Sequence, residues 1–144
     1  MGQLNLTNLK SVYLDTQIVI YTVEANPSYF LRLQPLWEKF QLGEIELVTS
    51  ELTLMETLVL PIKRNNQTLV NDYRTLLEST EIQLVPINRE IIFNATELRA
   101  KTSLKTPDAI HAATAIHKNC DLFLTNDRAF DNLSILSTVI LDDI

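Results

Sequence analysis

Short apolar runs recur along this chain, each followed by a longer stretch with helical periodicity, and that rhythm constrains its fold more than any other feature. Val12-Tyr13-Leu14, Glu46-Leu47-Val48-Thr49, Ile82-Gln83-Leu84-Val85, Asp121-Leu122-Phe123-Leu124 and Val139-Ile140-Leu141 are too short for helices and read as five strands. A helix is expected over 17–24, broken by Pro27, and another over 28–41 with Phe30, Leu33, Trp37 and Phe40 on one face and Gly43 as its stop. Ser50 is placed to cap a third helix that carries Leu52, Met55, Glu56 and Val59 and ends near Pro61. A fourth covers 67–79, with Leu69, Tyr73, Leu76 and Leu77 inward. Asn88 caps a fifth, with Ile87 and Ile92 as a hydrophobic staple. Thr106-Pro107-Asp108 starts a sixth with a cap, a proline and a first-turn acid, and it runs to about Lys118. Strands alternating with helices or helix pairs make an α/β fold, a parallel sheet covered on both faces. No repeat, low-complexity stretch or Pro/Gly/Ser linker interrupts the 144 residues, so residues 1–144 read as one domain.

The residues the chain lacks remove whole classes of chemistry. Two glycines, Gly2 and Gly43, are too few for a phosphate-binding loop or a dinucleotide fingerprint. One cysteine, Cys120, excludes an internal disulfide, a cysteine zinc site and an iron–sulfur cage. Two histidines, His111 and His117, exclude a three-histidine zinc site. The net charge of −6 rules out a broadly basic surface, while leaving room for local basic patches. No run reaches the ~18 apolar residues of a membrane span, and residues 1–5 lack a signal-peptide layout. The expected location is cytoplasmic. Oxygen ligands are what the chain has in plenty.

Open α/β sheets gather ligands outside the carboxyl ends of their strands. Asp15 and Asp127 fall just past two such ends, and Glu56 and Asp108 lie on helices that follow strands. Each has a plain structural use. Asp15 can cap a helix, Glu56 can close a capping box with Thr53, Asp108 can favour a helix dipole, and Asp127 can make an Asx turn. Together they lie where one crevice could collect them.

Four motifs occur in order. They are Val12-Tyr13-Leu14-Asp15-Thr16 before an apolar helix, Ser50-Glu51-Leu52-Thr53 with Glu56, Thr106-Pro107-Asp108-Ala109-Ile110-His111-Ala112-Ala113-Thr114-Ala115, and Leu122-Phe123-Leu124-Thr125-Asn126-Asp127. This pattern resembles a PIN domain, and more narrowly the VapC-type toxins of toxin–antitoxin modules. The resemblance implies a three-layer α/β/α sandwich with a mostly parallel sheet of about five strands. It implies a metal-dependent endoribonuclease whose acids match Asp15, Glu56, Asp108 and Asp127, with Thr125 as a supporting hydroxyl. It also implies an antitoxin partner and a homodimer. Two positions depart from the family pattern. Gln17 stands where Asn is usual, and Ala129 stands where many members carry a further acid; Asp131, beyond Phe130, reads as a solvated loop acid.

The chemistry suits the donors. Hydrolysing a phosphodiester requires charge neutralised on phosphate and a water made nucleophilic, and Mg²⁺ or Mn²⁺ supplies both. These ions prefer oxygen and keep several waters. On this reading Asp15 and Asp108 bind metal directly, and Glu56 and Asp127 act through water. Lys63, Arg64, Arg89, Arg99, Lys101, Lys105 and Arg128 are the candidate phosphate contacts. His111, one turn after Asp108, reads as packing behind the site, His117 as exposed, and Cys120 as a small apolar filler. Trp37 and Phe40 read as core. Tyr29, Phe30 and Trp37 make the helices over 17–41 the expected antitoxin groove. The other readings are a housekeeping PIN nuclease and a catalytically silent PIN-like interaction module. A phosphatase-like hydrolase, which needs a second aspartate at position 17, is excluded by Gln17.

Overall fold

The computed structural model describes residues 2–144. Five strands form one sheet in the order β3-β2-β1-β4-β5: β1 Ser11–Leu14, β2 Glu46–Ser50, β3 Gln83–Val85, β4 Leu122–Thr125 and β5 Thr138–Ile140. All four pairings are parallel, so the expected mostly parallel sheet is wholly so. Six helices connect the strands: α1 Thr16–Val23, α2 Phe30–Gln41, α3 Leu52–Lys63, α4 Gln67–Glu78, α5 Arg89–Lys101 and α6 Thr106–His117.

Alternation along β1 divides the core in two. Val12 and Leu14 face one layer, packed with Ile18, Leu33, Leu36, Tyr73 and Leu77 of α1, α2 and α4. Tyr13 faces the other, with Ile91, Ala95, Ala109, Ala112 and Phe123. The result is the three-layer sandwich, with α5 and α6 on the second face beside Phe130, Leu133 and Leu136. The run of alanines in α6 lets that helix lie close to the sheet.

Several local expectations shift. Helix α2 begins at Phe30 and keeps Pro35 inside, and α3 runs through Pro61 to Lys63. Thr106 is the first residue of α6 rather than its cap; its hydroxyl instead accepts from Arg99 Nη1 at 3.0 Å. Ser50 still takes the Leu52 N–H at 3.0 Å. In α3 the buried side chains are Thr53, Thr57 and Pro61, while Met55 and Val59 stand in solvent at 64% and 59% exposure. Ile91 of α5 is fully buried, and Ile92 is exposed. With so few glycines, Asn65 and Asn119 supply the left-handed residues after α3 and α6. Trp37 and Phe40 pack edge to face at 5.8 Å at the margin of the core. Among the described residues, no helix is long and apolar enough to cross a membrane.

Candidate active site

Strands β1 and β4 run in register, with Leu14 beside Leu124. The chain therefore delivers Asp15 and Thr125 together to the carboxyl edge of the sheet. Thr125 Oγ1 donates to Asp15 Oδ2 at 2.6 Å, and the Thr16 N–H donates to Asp15 Oδ1 at 2.9 Å. Asp15 thus does cap α1, and it is also a nearly buried acid facing other acids. Burial pushes its carboxyl above the usual range, and His111, Thr125 and Thr16 offset this only in part.

Glu56 comes from the second turn of α3. Its Oε1 accepts from Thr16 Oγ1 at 2.7 Å and from His111 Nε2 at 2.6 Å. Among the described residues its Oε2 has no protein partner. Burial raises this carboxyl, but the bonds from His111 and Thr16 prevail and leave it below its ordinary value. Thr53 does not form the capping box; it bonds to Thr49 at 2.7 Å.

Asp108 sits half-buried in the first turn of α6. Burial, then the charges of Asp127 and Asp15, push it up to about 6, with Glu56 adding and His111 opposing. Asp127 makes the expected turn, its Oδ1 accepting the Ala129 N–H at 2.9 Å. Its own N–H donates to Thr125 Oγ1 at 3.0 Å. One hydroxyl therefore ties the Asp127 loop to Asp15. The structure brings Asp15, Glu56, Asp108, Thr125 and Asp127 to one end of the sheet, where the acids' charges act on one another. It leaves Gln17, Ala129 and Asp131 in solvent, Asp131 3.3 Å from Arg128.

Sequence reading missed Tyr13. Its ring is fully buried and its hydroxyl lies 2.6 Å from Nδ1 of His111. A tyrosine within an otherwise aliphatic buried strand is the available signal, because a buried phenol needs a partner. The basic residues also sort differently. Arg128 grips Asp143 through both Nη atoms, at 3.0 and 2.5 Å, which takes it away from phosphate. Arg99 is spent on the Leu104 carbonyl and Thr106, and Lys101 stands 4.0 Å from Glu97. Lys63, Arg64, Arg89 and Lys105 make no ion pair among the described residues. His117 is half-buried, 3.7 Å from Glu90, rather than exposed. Burial pushes the Cys120 thiol up to about 12, which fits a filler and not a nucleophile.

The family model for the PIN domain matches residues 12–136. The chain belongs to the PIN domain family. As a PIN domain it shares its fold with VapC20 of Mycobacterium tuberculosis, a sarcin–ricin loop cleaving toxin. That pair has a TM-score of 0.70 at 16% identity over 88% of this chain and 97% of the other. VapBC-1 of nontypeable Haemophilus influenzae gives 0.70 at 18% identity, over 92% and 98%. VapBC2 of Rickettsia felis, bound to a DNA fragment from its promoter, gives 0.67 at 19%, over 90% and 97%. No curated protein matches this PIN domain by sequence.

The donor set of the PIN domain also bears on metal. Among the described residues, no three acidic, histidine or cysteine side chains converge tightly enough to hold an ion by protein ligands alone. The donors at the site are carboxylates and hydroxyls with no thiol among them, a chemistry that suits a small hard cation that keeps much of its water.

Proposed function

We propose that this PIN domain is a ribonuclease that hydrolyses RNA phosphodiester bonds with Mg²⁺ or Mn²⁺, acting as the toxin of a toxin–antitoxin pair. The observation that carries the reading is the convergence of four carboxylates whose charges act on one another, at the carboxyl edge of a parallel sheet. Asp15 and Asp108 would hold the ion, with Glu56 and Asp127 reaching it through water. The bound ion would neutralise phosphate charge and lower the pKa of a water. The protein's own part is positioning. Thr125 fixes Asp15 and the Asp127 loop, and Thr16 and His111 fix Glu56, so little must reorganise when RNA arrives. Lys63, Arg64, Arg89 and Lys105 are the remaining candidates for the RNA backbone.

An antitoxin would approach through a groove of about 300 Å³ beside Glu56, lined by Ile20, Glu56, Thr57, Leu60, Pro61 and Arg64. Its apolar wall suits one face of an amphipathic helix, and its acidic end suits a basic side chain carried by that helix. The expected surface over 17–41 carries a groove as well, about 360 Å³ and lined by Thr22, Phe30, Gln34, Trp37, Glu38 and Gln41, and it is the second candidate for the antitoxin. A homodimer belongs to the same proposal.

The test is cleavage of a mixed RNA pool by the purified protein with Mg²⁺, with Mn²⁺ and with EDTA. Cleavage with either ion, none in EDTA and none from Asp15→Asn is the expected result. Cleavage that persists in EDTA, or in Asp15→Asn, would overturn the reading.

A further inference from the structure

Tyr13, His111 and Glu56 form a hydrogen-bonded line from the core of the second layer to the rim of the crevice. Tyr13 Oη lies 2.6 Å from Nδ1 of His111, and Nε2 of the same ring lies 2.6 Å from Glu56 Oε1. Both Tyr13 and His111 are buried, at 0% and 1% exposure, so water does not compete for these bonds. The polarity of the line follows from its ends. A carboxylate oxygen can only accept, so Nε2 must carry a proton. In the neutral ring Nδ1 is then the lone pair, and the phenol donates to it.

We propose that Tyr13 and His111 are positioning residues for Glu56: the Tyr13 O–H donates to Nδ1, fixes the imidazole proton on Nε2, and so commits the ring to hold Glu56 by Oε1. Thr16 donates to the same oxygen at 2.7 Å. Both anchors thus fall on Oε1, and Oε2 is left to face water or substrate in a fixed direction. Without the phenol the buried Nδ1 has no donor, only the Glu56 carboxylate still selects the Nε2 proton, and the Nδ1–H form gains population. In that form Nε2 would meet the carboxylate lone pair to lone pair, and Glu56 would swing away. A histidine held by an outer hydrogen bond orients a metal ligand in the same manner. This inference rests on the nuclease reading for its consequence in catalysis, but not for the geometry of the line.

Tyr13→Phe is the sharpest test, because it deletes one oxygen and keeps the ring that stacks on Phe123 at 5.1 Å. Long-range proton–nitrogen spectra of ¹⁵N-histidine protein, recorded metal-free, read the tautomer of His111. The wild type is expected to show Nε2–H alone, and Tyr13→Phe a mixture or Nδ1–H. In the cleavage assay Tyr13→Phe is expected to lose about tenfold or more in kcat with little change in KM. His111→Gln, whose amide can still donate to Glu56, is expected to cut faster than His111→Leu. A wild-type ring protonated on Nδ1, or on both nitrogens, would overturn the proposal, and this readout holds even if Tyr13→Phe fails to fold. So would a folded Tyr13→Phe that keeps both the tautomer and the wild-type kcat. If the wild type cuts no RNA, the nuclease reading falls, and the spectra alone decide whether Tyr13 sets the tautomer.

Discussion

Asp108 has no hydrogen bond among the described residues to spread its charge, and it feels three other carboxylates. Its carboxyl rises from an ordinary 3.8 to about 6, so the folded protein holds that proton more tightly than the unfolded chain. The stability this contributes is full below about 3.8 and is lost as pH rises through about 6. Asp15, also raised, has the same sign, and Glu56, lowered, has the opposite sign. The clean comparison is therefore wild type against Asp108→Asn without metal. The variant is expected to melt as high or higher at pH 7, with its advantage shrinking between pH 6 and pH 4, and to lose cleavage. Thermal melts across that range check it; a first-turn acid used only for the helix dipole would instead cost about 0.3–1 kcal/mol when neutralised. Thr125→Val removes the donor to Asp15 and the acceptor of the Asp127 N–H. It is expected to cost about 1.5–3 kcal/mol in urea unfolding, since one lost bond is to a charged, nearly buried group. The acids themselves were legible in the sequence because carboxylates cluster where strands end. The roles of Tyr13 and Arg128 were not, because each depends on a residue far away in the chain, His111 and Asp143 respectively.

Helix α6 shows how one element serves two purposes. Asp108 and His111 lie three apart, so both point to the crevice side, while Ala109, Ala112 and Ala113 pack into the core. Its start was legible from Thr106-Pro107-Asp108, though the cap was misplaced by one residue because Arg99 takes the Thr106 hydroxyl. Helix α3 was harder to read. Its buried residues are threonine and proline, flanked by half-buried Leu54 and Leu58, while Met55, Val59 and Ile62 are exposed, so hydropathy alone does not mark its inner face. The buried threonines are polar because they link Leu14, Thr49, Thr53 and Thr16 in one chain of hydroxyls behind the site. The end of α1 carries a cost of its own. Ala25 follows it at φ 48°, a left-handed conformation that a Cβ disfavours. Ala25→Gly is expected to stabilise the protein by about 1 kcal/mol, the steric relief exceeding the entropy that glycine loses. A shift of the urea midpoint at constant slope would confirm it, and no shift would show that the local backbone already relaxes around the methyl.

For the whole molecule, the proposed ion site makes the acidic cluster a cost without a cation that a bound cation would relieve. A close pair of carboxylates repels by on the order of 4 kcal/mol at an effective dielectric of ~20. Millimolar Mg²⁺ or Mn²⁺ is therefore expected to raise the melting temperature of the wild type above its value in EDTA, and to raise that of Asp108→Asn much less. Equal melts in all conditions would count against an ion at this site. The sheet order carries a consequence in time. The central strand, β1, is the first to be synthesised, and one of its two neighbours, β4, is among the last. Asp15 meets Thr125 only across a sequence separation of 110 residues. At ~5–20 residues per second, a growing chain spends seconds with its first acid made and its last partners still unmade. A fragment ending at residue 120 lacks β4, Thr125 and Asp127, and should neither unfold cooperatively nor, on the proposed function, cut RNA. On the proposed function, activity would appear only once β4 and the Asp127 loop have joined the sheet, which leaves a partner that is already folded time to be waiting when the site closes.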